Sequence, residues 1–175
     1  MPELDGKRIA VLADAEYEDL ELHYPLLRMQ EAGAQVTVVG SGSSQTYSGK
    51  HGLSIAVDAT ADQVRPDQFD AIVIPGGWAP DRMRRSDAMV QLVRQAHAQG
   101  KIVAAICHAG WMLASAEIVQ GKTVTCVRAI RDDMRHAGAE YVDREVVRDG
   151  NIITSRVPGD LPAFCREIIR ALAER

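Results

Sequence analysis

Cys107 lies in a sequence context that could make it a nucleophile. The run AICHAG at 105–110 follows a stretch rich in Val, Ile and Ala and precedes the apolar pattern of a helix. A nucleophile on a tight strand-to-helix turn needs small residues two positions before and after it, and Ala105 and Ala109 meet that need. Such a turn places the sulfur near a helix N-terminus, whose partial positive charge lowers the pKa of a thiol. We therefore predict that Cys107 is a reactive thiol, whereas Cys126 and Cys165 are packing residues.

Three further groups could act with this sulfur. His108 could orient or deprotonate a group through its imidazole, or contribute only its backbone N–H. Gly76 and Gly77 end a predicted strand, and two successive glycines let backbone amides approach a ligand, as in an oxyanion hole. The acidic run DAEYED at 14–19 also follows a strand, and a buried, protonated carboxyl from it could donate a hydrogen bond to sulfur. The residue pattern leaves both Glu16 and Glu18 open for that role.

The elements that must position these groups alternate along the chain. Strands are predicted at 8–13, 35–40, 69–74, 101–106 and 123–127, with short strands within 140–154. Helices are predicted at 19–32, where Pro25 predicts a kink or a later start, and at 88–99, 108–117, 131–137 and 161–174. Segment 41–58 is expected to be an excursion with a short edge strand. The pattern predicts one domain over 1–175, with a mostly parallel sheet and helices on both faces. Ligands of such sheets bind at the carboxyl ends of the strands.

Composition excludes several classes of function. The formal net charge is −4 and no basic run is present, so we expect no nucleic-acid partner. We find neither a signal peptide nor 18 consecutive apolar residues, and the predicted location is the cytoplasm, without membrane contact. The cysteines form no C-x-x-C pair, and VVGSGS at 38–43 lacks the third glycine of a dinucleotide site. No metal and no cofactor are predicted, because no metal-ligand spacing joins the remaining histidines, His23, His51, His97 and His136.

Several longer runs, in order along nearly the whole chain, resemble a single family. They are AEYEDLEL at 15–22, GKHG at 49–52, FDAIVIPGGWAPDRMR at 69–84, AAICHAGW at 104–111, IRDDMRHAGAEYVDREVVRDGN at 130–151 and TSRVPGDLPAFCREI at 154–168. These runs resemble the ThiJ/PfpI superfamily, and specifically its PfpI-like branch of intracellular cysteine peptidases, protein deglycases and general stress proteins. The resemblance implies a flavodoxin-like, three-layer α/β sandwich.

The resemblance also implies roles for individual residues. Cys107 would be the nucleophile, and Glu18 would be the carboxylic acid that touches its sulfur. The backbone amides of Gly77 and His108 would form the oxyanion hole, with Gly76 beside them. In the peptidase members, His108 would pair with an acid from a neighbouring subunit at the position of Asp81. The family implies a homodimer, with hexamers among its peptidase members.

Some positions depart from the peptidase pattern. Asp81 is shorter than the expected glutamate, Val127 stands where an aromatic residue is expected, and Ala109-Gly110 replaces Gly-Pro. These departures favour a stress-response protein: a cofactor-independent, cysteine-based deglycase or glyoxalase acting on reactive carbonyls or their protein adducts. The alternatives are a PfpI-type intracellular cysteine endopeptidase and a non-enzymatic redox sensor based on oxidation of Cys107.

Overall fold

A computed structural model describes residues 3–175 as alternating strands and helices. The strands are β1 (Arg8–Ala13), β2 (Gln35–Gly40), β3 (Thr46–Ser48), β4 (Ser54–Ala56), β5 (Ala59–Thr60), β6 (Ala71–Ile74), β7 (Ile102–Ile106), β8 (Thr123–Val124), β9 (Glu140–Tyr141), β10 (Val147–Asp149) and β11 (Ile152–Ser155). The helices are α1 (Asp19–Glu31), α2 (Ala79–Met83), α3 (Asp87–Ala98), α4 (Gly110–Ser115), α5 (Arg131–His136) and α6 (Leu161–Ala173).

A seven-stranded sheet in the order β10-β11-β7-β6-β1-β2-β5 forms the centre of the molecule. All its neighbouring pairs are parallel except β10 and β11, which pair antiparallel. Helices α1 and α6 pack together on the sheet, whereas α3 packs with α4 and contacts β6 and β7. The predicted α/β, mostly parallel three-layer architecture is therefore confirmed.

The central strands explain why the sheet is buried on both faces. All residues of β6 and β7 are buried, as are five of the six in β1. Near-continuous apolar runs of this kind are typical of parallel strands covered by helices on both sides. Burial of these strands provides a rigid platform for the loops at their carboxyl ends.

Most predicted elements are present, and the differences lie in short segments and at element ends. Helix α1 begins at Asp19 with Pro25 inside it, so the helix does not start later. Strand β8 ends at Val124, because the next backbone amide, that of Thr125, donates to Thr154 Oγ1 instead of to a strand ladder. The short helix α2 occupies part of a segment predicted as loop, and Cys107–Ala109 form a 3₁₀ turn before α4.

Segment 41–58 contains the antiparallel hairpin of β3 and β4, where one short edge strand was expected. None of the helices over residues 3–175 is long and apolar enough to cross a membrane.

Candidate active site

Three loops meet at the carboxyl ends of β1, β6 and β7. These strands are neighbours in the order β7-β6-β1, so the residues after Ala13, Ile74 and Ile106 emerge at the same edge of the sheet. Backbone bonds join the first two loops: Glu18 N–H donates to Gly76 O at 3.1 Å, and Trp78 N–H donates to Glu16 O at 2.9 Å. The predicted convergence of these loops is confirmed.

Cys107 occupies a strained turn. Its φ is 62°, in the left-handed region that non-glycine residues rarely adopt. The residue before it ends β7, and the 3₁₀ turn that begins with it leads into α4. Backbone strain of this kind is concentrated at functional sites. The side chain is partly buried, and its Sγ lies 3.4 Å from His108 Nδ1.

Glu21, rather than Glu18, is the carboxylic acid beside the sulfur. Glu21 is fully buried, and its Oε2 accepts a 2.8 Å hydrogen bond from the Gly76 N–H. A methyl group added at Gly76 would lie 2.5 Å from Glu21 Oε2 and 2.7 Å from Cys107 Cβ, so the two side chains meet across this glycine. Glu21 Oε1 is buried and has no hydrogen-bond partner within residues 3–175. The Cys107 side chain lies close enough to the carboxyl group to lower its pKa.

Glu18 serves a different purpose from the predicted one. It is the N-cap of α1, where its Oε2 accepts a 3.1 Å bond from the Glu21 N–H. Its other oxygen lies 3.8 Å from His51 Nε2. The prediction that Glu18 touches the sulfur is wrong because an N-cap side chain folds back onto the first turn of its own helix. Glu21, three residues later, points from that turn towards Cys107.

The pattern of apolar residues along α1 contains a signal for Glu21. The buried face of α1 comprises Asp19, Glu21, Leu22, Pro25, Leu26 and Met29. An acid in register with such an apolar stripe is unusual, because buried carboxyl groups are rare without a partner or a function.

Burial raises the pKa of both groups at the centre of the site. It raises the pKa of Glu21 to about 8, further supported by the nearby Glu18 charge, while the Gly76 amide opposes this. Burial and the Glu21 charge raise the pKa of the Cys107 thiol to about 12. The prediction of a lowered thiol pKa is therefore wrong in direction, because burial outweighs the favourable amides. At neutral pH most Glu21 carboxyl groups are protonated.

Two backbone amides face the sulfur. The N–H groups of Gly77 and His108 hydrogen-bond to Cys107 and lower its pKa. Gly76 does not share this role, since its N–H is directed to Glu21. Gly77 has a φ of 77°, and a Cβ there would lie 2.4 Å from Glu18 N, so only glycine fits.

His108 is held between two indole rings. Its ring centroid lies 5.7 Å from that of Trp78 and 5.2 Å from that of Trp111. Burial lowers the His108 pKa, and the Lys50 charge lowers it further, so the imidazole is neutral at neutral pH. Asp81 lies exposed on α2, and within residues 3–175 no hydrogen bond or ion pair joins it to His108. Its contact with His108 across an interface stays a prediction.

The other candidate positions have structural roles. Glu16 forms an ion pair with Arg82, and Cys126 and Cys165 are buried. Glu18, Asp19 and His51 place possible metal-ligand atoms within 4.8 Å of one another. Both Asp19 oxygens already accept 2.8 Å bonds, from the N–H groups of His51 and Leu53, so we assign no metal to this cluster.

Comparisons with known proteins identify the family of this chain. The model of the DJ-1/PfpI family matches residues 7–171. The chain belongs to the DJ-1/PfpI family. Among its relatives is "Deglycase PfpI" of Pyrococcus furiosus, 47% identical over 165 residues, which are 94% of this chain and 99% of that protein. Another is "Putative cysteine protease YraA" of Bacillus subtilis, 39% identical over 167 residues, 95% of this chain and 99% of that protein.

A solved structure from Anabaena variabilis is also similar. It is a two-domain protein with DJ-1/ThiJ/PfpI-like and ferritin-like domains, and it superposes with a TM-score of 0.93 at 44% identity. The match covers 95% of this chain and 48% of that one, so this chain spans about half of the two-domain protein.

Proposed function

We propose that this protein is a cofactor-independent glyoxalase or deglycase that uses Cys107 against reactive carbonyl compounds. The observation that carries the proposal is the approach of the buried Glu21 carboxyl to the Cys107 side chain across Gly76, together with the Gly77 and His108 amides that act on the same sulfur. A relative of 47% identity carries the name deglycase, which supports the same chemistry. Protection against reactive carbonyls, the stress role expected from the sequence, belongs to this proposal.

Glu21 is the general base in the proposed reaction. A base works best when its pKa lies near the working pH, and burial has raised the pKa of Glu21 to about 8. The ionised fraction of Glu21 takes the proton from the Cys107 thiol as the sulfur bonds to the aldehyde carbon of methylglyoxal. The pair of electrons released from the C=O bond moves onto oxygen, beside the N–H groups of Gly77 and His108. Protonation of that oxygen by Glu21 gives a hemithioacetal.

The second half of the reaction is an internal redox step. Glu21 removes the hydrogen from the former aldehyde carbon as a proton and returns a proton to the adjacent carbon, while the hydroxyl proton of the hemithioacetal passes to the ketone oxygen. The former aldehyde carbon is thereby oxidised to a thioester while the neighbouring ketone is reduced to an alcohol. Water hydrolyses the thioester, releasing lactate and the free thiol. The sum is methylglyoxal plus water to lactate, without an external oxidant or reductant.

The test is methylglyoxal turnover without glutathione. We expect lactate formation by the wild type and a loss of at least about 100-fold in Cys107→Ala. Cys165→Ala is the matched control, because this thiol is buried in α6 and should leave turnover unchanged. Equal lactate formation by wild type and Cys107→Ala would refute the proposal.

A cysteine peptidase is the second candidate, and the 3.4 Å approach of Cys107 Sγ to His108 Nδ1 favours it. A relative of 39% identity has the name of a putative cysteine protease. The peptidase needs an acid that orients His108, so Asp81 would have to come from another copy. Casein hydrolysis that is lost in Asp81→Ala, by an oligomer of this chain, would establish this function in place of the first.

The redox sensor receives less support from the structure. Oxidation of a thiol proceeds through its thiolate, and burial raises the pKa of Cys107 to about 12. Intact-mass analysis after peroxide titration decides the matter. The sensor would require Cys107 to oxidise well before Cys126 and Cys165.

A further inference from the structure

Both tryptophans of the chain contact the ring of His108, whose Nδ1 lies 3.4 Å from the sulfur of Cys107. Trp78 follows Gly77, whose amide faces Cys107, and Trp111 lies in the first turn of α4. The ring of His108 lies between them, at centroid distances of 5.7 and 5.2 Å. These three rings form an aromatic wall (Trp78, His108 and Trp111) next to the point where a carbonyl would bind sulfur.

One side of the wall is anchored by polar contacts. Trp111 Nε1 donates a 2.9 Å hydrogen bond to Asp133 Oδ2. The Arg84 guanidinium lies 5.4 Å from the Trp111 ring centroid and donates from Nε to Ser115 Oγ at 3.0 Å. These contacts fix the Trp111 ring, which in turn contacts the edge of His108.

Trp78 is exposed where its neighbours are buried. Its exposed fraction is 55%, although Gly77 before it and Ala79 after it are buried. Within residues 3–175 its indole N–H makes no hydrogen bond. An indole buries a large apolar area when it meets a partner, and aromatic pairs add an attraction beyond that area. An exposed indole beside a nucleophile therefore favours a substrate with a planar apolar group.

The charges around the aromatic wall also restrict the charge that the substrate's planar group can carry. The Lys50 charge lowers the pKa values of Cys107, Glu21 and His108, so it acts on all three groups of the site. The Arg84 guanidinium already occupies the neighbourhood of Trp111. The Asp133 carboxylate on Trp111 offsets the Arg84 charge, and the remaining Lys50 charge disfavours a cationic substituent.

We propose that the aromatic wall is a substrate subsite that selects aryl-substituted 2-oxoaldehydes over alkyl ones. The inference rests on the proposed function and specifies its substrate class. When Cys107 Sγ bonds to the aldehyde carbon, the ring on the adjacent ketone stacks against Trp78.

The first experiment compares initial rates with phenylglyoxal and methylglyoxal. We expect Trp78→Ala to lower kcat/KM for phenylglyoxal about three- to tenfold relative to methylglyoxal, mainly through KM. Trp78→Phe should keep most of the preference. Leu27→Ala, which removes a 61% exposed apolar side chain elsewhere, is the matched control and should change neither value. An unchanged ratio in Trp78→Ala would overturn the subsite.

The second experiment measures binding without turnover. Because the only two tryptophans of the chain lie in the wall, tryptophan fluorescence reports on that wall. Mandelate, the product expected from phenylglyoxal, should quench it at lower concentration than lactate, and Trp78→Ala, in which Trp111 remains as the reporter, should weaken the difference. Equal quenching by both acids contradicts the subsite. If the wild type converts neither aldehyde but mandelate binding still depends on Trp78, the proposed function fails and the subsite stands.

Discussion

Cys107 lies between groups with opposite effects on its ionisation. The amides of Gly77 and His108 stabilise a thiolate, whereas burial and the Glu21 charge oppose it. Burial prevails, so the resting thiol holds its proton and depends on a base in contact with it. Reactivity at this site is therefore a property of the Cys107–Glu21 pair rather than of the sulfur alone.

The first prediction concerns the pH dependence of turnover. The proposed base must be ionised and the pKa of Glu21 is about 8, so kcat/KM should rise up to about tenfold per pH unit below pH 8 and level off above it. Glu21→Gln should remove this rise and lower the rate about 100- to 10 000-fold. Glu18→Gln, which keeps a capping oxygen, should keep the rise but move it to lower pH, because it removes the Glu18 charge that helps to raise the pKa of Glu21. A similar profile in Glu21→Gln would exclude Glu21 as the base.

The sequence predicted the position of Cys107 more accurately than the identity of the acid beside it. The spacing of Ala105, Cys107 and Ala109 around a strand end was sufficient to place the sulfur, because a tight turn restricts residue size locally. The acid depends on which side of α1 faces the sheet edge, a matter of packing between distant segments. The acidic run leaves Glu16 and Glu18 open and the family resemblance implies Glu18, whereas the acid beside the sulfur is Glu21, which lies outside that run.

At the scale of elements, the loop after β6 holds the site together. Its two glycines serve different ends: Gly76 lets Glu21 and Cys107 approach each other, and Gly77 aims an amide at the sulfur. The loop also binds the backbone between β1 and α1 through Glu18 and Trp78. The position of the acid is thus set by contacts between three loops.

The second prediction tests the close approach at Gly76. In Gly76→Ala the added methyl group would lie 2.5 Å from Glu21 Oε2, a distance at which one of the two must move. Turnover should fall at least about tenfold, as expected when a catalytic group shifts by a fraction of an ångström, and the free energy of unfolding should fall by roughly 1–3 kcal/mol. Gly159→Ala, where a Cβ meets nothing within 4 Å, should leave both unchanged. Full activity in Gly76→Ala would contradict the tight packing of the site.

Long apolar strands were predictable and short elements were not. The strands β1, β6 and β7 bury continuous apolar runs, a pattern that sequence reveals directly. Helix α2 has five residues, too few for a helical period, and it follows a Pro-Gly-Gly run that reads as loop. Its position depends on tertiary contacts with α4.

For the molecule as a whole, Glu21 also affects stability. Its pKa is about 8 in the folded protein and 4.5 in an exposed chain, so the stability contributed by the neutral form is present below pH 4.5. That contribution is lost as the pH rises to 8, because ionisation of the buried carboxyl favours the unfolded chain.

The third prediction follows from this linkage. Between pH 5 and pH 8, the free energy of unfolding of Glu21→Gln should rise relative to that of the wild type by about 1.4 kcal/mol per pH unit at most. Urea denaturation at pH 5 and pH 8 measures the difference. The contributions of all other titrating groups are the same in Glu21→Gln and in the wild type, so they cancel. Glu31→Gln, an exposed site on the same helix, should show no such trend. A constant difference across this range would mean that Glu21 is ionised in the folded protein at pH 5.

The order of the strands has a consequence for how the chain acquires its chemistry during folding. Glu21, Gly77 and Cys107 are contributed by segments far apart in sequence, and β6 must lie between β1 and β7 before the three can meet. A nascent or refolding polypeptide with only its local helices formed would carry an ordinary solvated cysteine, unable to discriminate among electrophiles. Because these groups meet only when the middle of the sheet has assembled, the proposed activity would be a late reporter of long-range strand pairing.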